Sequence, residues 1–208
     1  MSISSNHLDK LHQLRNQYIA VRHGESEANV AHLISSNPRV GTNCHGLSPY
    51  GQEQVAESAK LFLQKNPSER DDVIVSSDFR RARETAEILA SNLPNTPQIQ
   101  FDPRLRERFF GIYDNTSDEN YHLIWKNDEE NPKKNLDDQV ESVESVRERT
   151  SALIIELEEK YPTHRIFLVS HGDSLQILQT AFERLPQANQ QRHLPHIDRA
   201  EFRPLIFK

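Results

Sequence analysis

Residues 18–24 read Tyr18-Ile19-Ala20-Val21-Arg22-His23-Gly24, and residues 166–172 read Ile166-Phe167-Leu168-Val169-Ser170-His171-Gly172. Each is a short apolar run that stops at a polar residue, a histidine and a glycine. A run of this length, closed so abruptly, predicts a strand buried on both faces, as in a parallel sheet. Ligands of open α/β sheets sit outside the carboxyl ends of such strands. The repeated ending therefore predicts an α/β fold and places His23 and His171 where its ligand belongs. The glycines let a ligand approach the backbone.

Working outward, strand and helix signals alternate without repeats or linkers, so the 208 residues are read as one domain, 1–208. Leu8, Leu11 and Leu14 predict a short helix within residues 1–16, packed outside the sheet. Ser48-Pro49 opens an amphipathic helix carrying Val55, Ala59, Phe62 and Leu63. Val73 to Val75 predicts a second strand, with Ser76, Ser77 and Asp78 as N-cap candidates for a helix bearing Phe79, Ala82, Ala86 and Leu89. Ile99 to Phe101 predicts a third strand. A long helix carries Val143, Val146, Thr150, Leu153, Ile154 and Leu157, and a last strand spans Phe202 to Phe207, with Pro204 placing it at a sheet edge or making it short. Residues 112–138, rich in Asn, Asp and Glu around Tyr121 and Trp125, predict an excursion serving as a lid or substrate loop.

Composition narrows the function. A net charge of −6 argues against a nucleic-acid surface, which requires clustered Lys and Arg. No stretch approaches the roughly 20 apolar residues of a spanning helix, and the first residues lack a leader's basic and apolar segments. The reading is a cytoplasmic protein acting on a small molecule, with no membrane or nucleic-acid partner. The single Cys44 cannot form an internal disulfide and is read as a bystander.

Two histidines could hold a metal, so their neighbours decide. These are cations: Arg22 adjoins His23, and Arg80, Arg81 and Arg83 open a helix whose N-terminus also favours negative charge. Guanidinium groups disfavour a metal ion and bind phosphate in bidentate geometry. His45, His193 and His196 are weak metal candidates, given Pro195 and the lack of neighbouring thiolates. Asp71-Asp72 reads as a turn, Glu156, Glu158, Glu159 and Lys160 as the wet side of a helix, and Tyr121 and Trp125 as core contacts of the excursion.

Five words in order then resemble the histidine phosphatase superfamily, which includes the cofactor-dependent phosphoglycerate mutases. They are Arg22-His23-Gly24-Glu25-Ser26 with Asn29; Leu47-Ser48-Pro49-Tyr50-Gly51 with Gln54; Ser77-Asp78-Phe79-Arg80-Arg81-Ala82-Arg83-Glu84-Thr85-Ala86; Leu105-Arg106-Glu107-Arg108-Phe109-Phe110-Gly111; and Ser170-His171-Gly172-Asp173-Ser174-Leu175. Glu141-Ser142 followed by Arg149 is a weaker counterpart of another family segment. The resemblance implies a three-layer α/β/α fold with a mostly parallel central sheet, phosphoglycerate mutase-like. It also implies that His23 attacks phosphorus, that Arg22, Arg81, a protonated His171 and the Asn29 amide hold the phosphoryl oxygens, and that Glu107 is the proton donor. No metal or other cofactor is expected.

Three activities are compatible with that machinery. A phosphomonoester hydrolase comes first. A phosphoglycerate mutase comes second: Arg22 to Asn29, Glu107 to Gly111 and His171 to Leu175 resemble the mutases in wording. The chain lacks, however, their long Arg- and Pro-rich insertion between Glu107 and His171, with which a mutase excludes water. A binder of phosphorylated ligands comes third, disfavoured because a binder needs only the cations. A family departure at Ile112-Tyr113-Asp114-Asn115 implies a differently shaped loop beside Glu107, and one at Asp138-Gln139-Val140 leaves the helix start at Glu141-Ser142 open.

Overall fold

The computed structural model of the chain describes residues 5–131, 135–137 and 139–208, so Asp138 lies outside the described residues. The strands are β1 (Gln17–Arg22), β2 (Asp72–Ser76), β3 (Ile99–Phe101), β4 (Arg165–Ser170) and β5 (Phe202–Leu205). The helices are α1 (Glu27–Val30), α2 (Pro38–Gly41), α3 (Pro49–Lys65), α4 (Arg80–Asn92), α5 (Tyr121–Glu130), α6 (Val143–Lys160) and α7 (Gly172–Phe182). The sheet runs β3-β2-β4-β1-β5, parallel except for β5, which lies antiparallel to β1 at the edge.

Successive strand residues face opposite sides of the sheet, and each side becomes a core. Tyr18, Ala20, Val75, Ile166 and Leu168 pack on Leu153, Ile154 and Leu157 of α6 and Leu175, Leu178 and Phe182 of α7. Ile19, Val21, Ile74, Phe167 and Val169 pack on Ala59 of α3 and Ala82, Ala86 and Leu89 of α4. The result is the expected three layers around a mostly parallel sheet. It also fixes where a ligand can bind. The chain leaving β1 reaches α3 on one face, whereas the chain leaving β4 enters α7 on the other. Because β1 and β4 are neighbours in register from Gln17–Arg165 to Arg22–Ser170, a crevice opens between their carboxyl ends.

Several local expectations are corrected. The N-terminal helix is a single 3-10 turn, His7–Lys10, capped by Asn6; Leu8 is fully buried and Leu11 and Leu14 pack beside it in extended chain. The N-cap of α4 is Phe79, with no side-chain cap. Ser77 Oγ instead accepts from the Phe79 amide, and Asp78 is taken by Arg106 at 2.6 Å. Glu158 is not on a wet face. It is 5% exposed and accepts from the Tyr18 hydroxyl, the Asn16 side chain and the amides of Arg15 and Asn16, fastening the N-terminal segment to α6. The last strand ends at Leu205, and Pro204 lies opposite Ile19 on the edge strand, where a missing amide is tolerated. Residues 121–130 of the polar excursion form α5, pinned by Asp128, whose carboxylate meets the fully buried Arg108 at 2.6 and 2.9 Å.

Candidate active site

His23 and His171 each follow the last residue of an interior strand, and their ring centroids stand 5.2 Å apart. The His23 amide donates to Ser170 O at 3.1 Å, continuing the β1–β4 ladder past its end. Gly24 must be glycine, since a Cβ there would sit 2.5 Å from the Gly51 carbonyl of α3. That close approach brings the Gly24 carbonyl to 2.6 Å from His23 Nδ1. A carbonyl only accepts, so Nδ1 carries the proton and Nε2 keeps its lone pair. Arg81 Nε donates to that lone pair at 3.1 Å. Burial, then the charges of Arg81 and Arg22, hold His23 well below the ordinary imidazole range, so the ring is neutral and its exposed nitrogen is nucleophilic.

His171 is fully buried and its Nε2 meets Ser77 Oγ at 2.9 Å. Burial and then Arg81 push its pKa far down too, so the protonated form expected of it needs a negative charge beside it. Its Nδ1 is buried without a partner among the described residues.

The two nearby guanidiniums are held from behind. Arg81, in the first turn of α4, donates to Ser35 O at 2.9 Å. Arg22 Nη1 donates to Ile197 O at 2.9 Å and faces His196 Nε2 at 2.7 Å. The latter contact is fixed at its far end. Gln176, on α7, donates its amide to the carbonyls of Gln191 and Leu194, each at 2.8 Å, so its Oε1 must accept from His196 Nδ1 at 3.0 Å. His196 Nε2 is thereby left as an acceptor for Arg22. Arg22 Nε is buried with no partner among the described residues. Asn29 Oδ1 accepts from the Ser26 amide at 3.1 Å in a capping box on α1, leaving the NH2 end of the carboxamide to donate.

Glu107 arrives on the loop after the 3-10 turn Pro103–Leu105 and is 8% exposed. Ser170 Oγ and Ser174 Oγ clamp that loop through the carbonyls of Leu105 and Arg106 at 2.6 and 2.7 Å. Glu107 Oε1 accepts from the amides of Arg108 and Ser174 at 2.8 and 3.1 Å. Burial, and next the charge of Asp173, raise its pKa, favouring a protonated carboxyl that can give up its proton. Asp173 is itself held by Arg108 at 3.3 Å and Arg192 at 2.5 Å.

A cavity of about 540 Å³ collects these groups. Arg22, His23, Asn29, Arg81 and Glu107 line it, together with Ser35, Tyr121, Trp125, Asp173, His196 and Arg199; His171 stands behind His23, outside the wall. The sequence reading set Tyr121 down as a core contact ahead of a substrate contact, and weighed His196 only as a metal ligand. Tyr121 packs on Phe110, as expected of a core contact, yet it also faces the cavity, and burial followed by the Glu107 charge raises its hydroxyl pKa. His196 had a visible signal, its pairing with His193, but as a metal motif this misleads, because both ring nitrogens are committed within the protein. His45 is likewise engaged, by Ser35 Oγ at 2.8 Å. Among the described residues no grouping of three or more His, Cys, Asp or Glu side chains could hold a metal, and no described helix is long and apolar enough to cross a membrane.

Known proteins resemble the chain in sequence and in fold. The probable phosphoglycerate mutase GpmB of Photorhabdus laumondii is 32% identical over 183 residues, covering 85% of this chain and 79% of that protein. The uncharacterized phosphatase PhoE of Bacillus subtilis is 27% identical over 160 residues, covering 77% and 74%. Among solved structures, the mycobacterial glucosyl-3-phosphoglycerate phosphatase superposes with a TM-score of 0.72 at 25% identity, over 91% of this chain and 89% of that one. A putative alpha-ribazole-5'-P phosphatase from Escherichia coli shares the fold, with a TM-score of 0.70 at 22% identity over 89% and 87%. Residues 18–205 match the description of a single family, from β1 to the end of β5, and the chain belongs to the histidine phosphatase superfamily, branch 1.

Proposed function

We propose that this chain is a phosphomonoester hydrolase working through a phosphohistidine on His23. The observation that carries the reading is the joint presence, on one cavity wall, of a neutral His23 whose Nε2 lone pair is fixed by the Nδ1–Gly24 bond and a buried Glu107 with a raised pKa. In the first step Nε2 attacks phosphorus, the ester P–O bond breaks, and the Glu107 carboxyl proton passes to the leaving oxygen, which departs as an alcohol. In the second step the Glu107 carboxylate takes a proton from water as the water oxygen attacks phosphorus. The P–N bond then breaks, releasing inorganic phosphate and restoring neutral His23.

Phosphoryl transfer needs charge stabilisation on three equatorial oxygens. Arg81 turns its Nε from His23 to the phosphoryl group, Arg22 offers its unpartnered Nε, and Asn29 adds an amide donor. His171 becomes cationic beside the bound dianion. The donor set is anion-binding throughout, and the steps above balance without a metal.

The name of the Photorhabdus relative favours a second reading, a phosphoglycerate mutase. One experiment separates the two: phosphate release from a panel of phosphomonoesters including 3-phosphoglycerate, in EDTA, with a His23→Ala control and an isomer assay on the same samples. Release that needs His23 and survives EDTA is expected. Isomerisation without release would replace this reading by the mutase one, and tight phosphate binding with neither activity would replace it by the binding one.

A further inference from the structure

We propose that the phosphoester cleaved here carries no second anionic group, and that its alcohol part is a hydrogen-bond donor met by Asp118, Glu119 and His122. The inference rests on the hydrolase reading and concerns the outer half of the same cavity, which is far larger than a phosphoryl group needs.

Charge is matched at the floor and reversed at the mouth. Arg22 and Arg81 are the cations of the floor without a carboxylate partner among the described residues, while burial lowers the pKa values of His23 and His171. A phosphomonoester brings about −1.5 to −2 charges at neutral pH, which those two guanidiniums offset. The proton that His171 gains on binding stands behind His23, at the phosphoryl end, and among the described residues no unpaired guanidinium or ammonium lines the outer half of the cavity for a carboxylate or a second phosphate. Arg199, also on the wall, is paired with Glu25 at 3.3 Å, and Arg192, stacked on Trp125 with its charge 3.8 Å from the ring centroid, is paired with Asp173. Arg108 lies deeper, on Asp128 and Asp173.

The mouth carries carboxylates instead. Asp118 and Glu119 sit in the 3-10 turn before α5 and line the cavity with His122. Asp118 has one neighbour of possible positive charge, the exposed His32 at 3.3 Å. Among the described residues the Glu119 carboxylate has no ion-pair or hydrogen-bond partner. His122 Nδ1 donates to the Glu119 backbone carbonyl, which leaves Nε2 as the acceptor in the Nδ1–H tautomer. A carboxylate is an acceptor only. These three groups therefore suit hydroxyl or ammonium donors, and Ala28 and Leu33 offer the carbon skeleton an apolar wall. A substrate carboxylate at this position would face two like charges, partly screened because the rim is exposed.

The test uses substrates that differ in one group. sn-Glycerol 3-phosphate and 3-phosphoglycerate differ in having CH2OH or a carboxylate at the end remote from the phosphate; 2-hydroxyethyl and 2-aminoethyl phosphate separate hydroxyl from ammonium. p-Nitrophenyl phosphate with a His23→Ala control reports separately on the hydrolase reading. Glycerol 3-phosphate is expected to have a kcat/KM at least about tenfold above the value for the carboxylated ester, equivalent to about 1.4 kcal/mol. The gap should narrow with added salt. It should also shrink at least about threefold in the Asp118→Asn/Glu119→Gln double variant, mainly because the carboxylated ester then binds more tightly and its KM falls. Equal use of the pair, turnover of neither while p-nitrophenyl phosphate is cleaved, or a gap unmoved by the double variant would overturn the inference. Absence of His23-dependent cleavage of every ester would overturn the hydrolase reading beneath it.

Discussion

Glu107, the proton donor proposed above, is a buried carboxyl whose charged form its surroundings disfavour. Its folded-state pKa lies above the ordinary value, so the folded protein holds that proton to higher pH than the unfolded chain does. Its contribution is thus fully present at low pH and lost as pH rises through the folded-state value. Glu107→Gln is therefore expected to resist urea better than wild type at pH 8 and to lose that advantage at pH 4. The same variant should lower kcat on alkyl phosphates by about 10²–10⁴-fold but much less on p-nitrophenyl phosphate, whose leaving group needs no proton. Equal losses on both esters would remove Glu107 from the acid role. His196 yields a second expectation. His196→Ala frees Arg22 Nη1 from one of its two acceptors and should raise KM about five- to tenfold, the upper scale of one ordinary intramolecular hydrogen bond, while His196→Gln, which keeps an acceptor in reach, restores most of the affinity. A drop in Tm without a change in KM would mean that His196 only packs. At this scale the sequence revealed the residues that precede or follow a strand end, such as His23 and Arg81, because their motif and their position coincide. Gln176 and His196 escaped it, since their roles depend on hydrogen bonds between α7 and the segment before β5.

The elements that build the sheet were readable for a simple reason: Ile19, Ile74 and Phe167 lie in apolar runs that no other structure would bury. α5 was harder. Its helix presents only Ile124 and Asp128 as buried residues, and a buried aspartate reads as a wet one until Arg108 is seen beside it. Glu158 misled in the same way, its partners arriving from Arg15, Asn16 and Tyr18 more than a hundred positions earlier. The Arg108–Asp128 pair makes a prediction that belongs to the helix. Asp128→Ala leaves the fully buried Arg108 with Asp173 as its one carboxylate partner among the described residues, beside the Glu141 carbonyl, and should lower stability by about 3 kcal/mol in urea unfolding. A change within about 0.5 kcal/mol, the usual range for exposed sites, would show that α5 is not anchored there.

On the scale of the whole molecule, stability in acid is set by the histidines of the site. His23, His171 and His196 all have folded-state pKa values below the ordinary 6.5, chiefly through burial. The unfolded chain therefore binds protons that the folded one refuses, and stability that is complete above pH 6.5 drains away as pH falls toward the folded-state values. Guanidinium midpoints measured from pH 8 to pH 4 should decline through this window, and less so in a His23→Asn/His171→Asn variant. The strand order β3-β2-β4-β1-β5 has a consequence for how the molecule comes apart. β1 and β4 are both interior, the His23 amide is bound to β4, and the Ala200 amide reaches back to Arg22 O and His23 O from the other side. His23 thus sits in the part of the chain whose amides exchange with solvent only on global opening, whereas α5, at the rim, belongs to a unit that can fray first. Hydrogen exchange should find Val21 and Val169 among the slowest amides and those of α5 among the faster ones, so that mild warming would loosen the choice of substrate before it silences the chemistry.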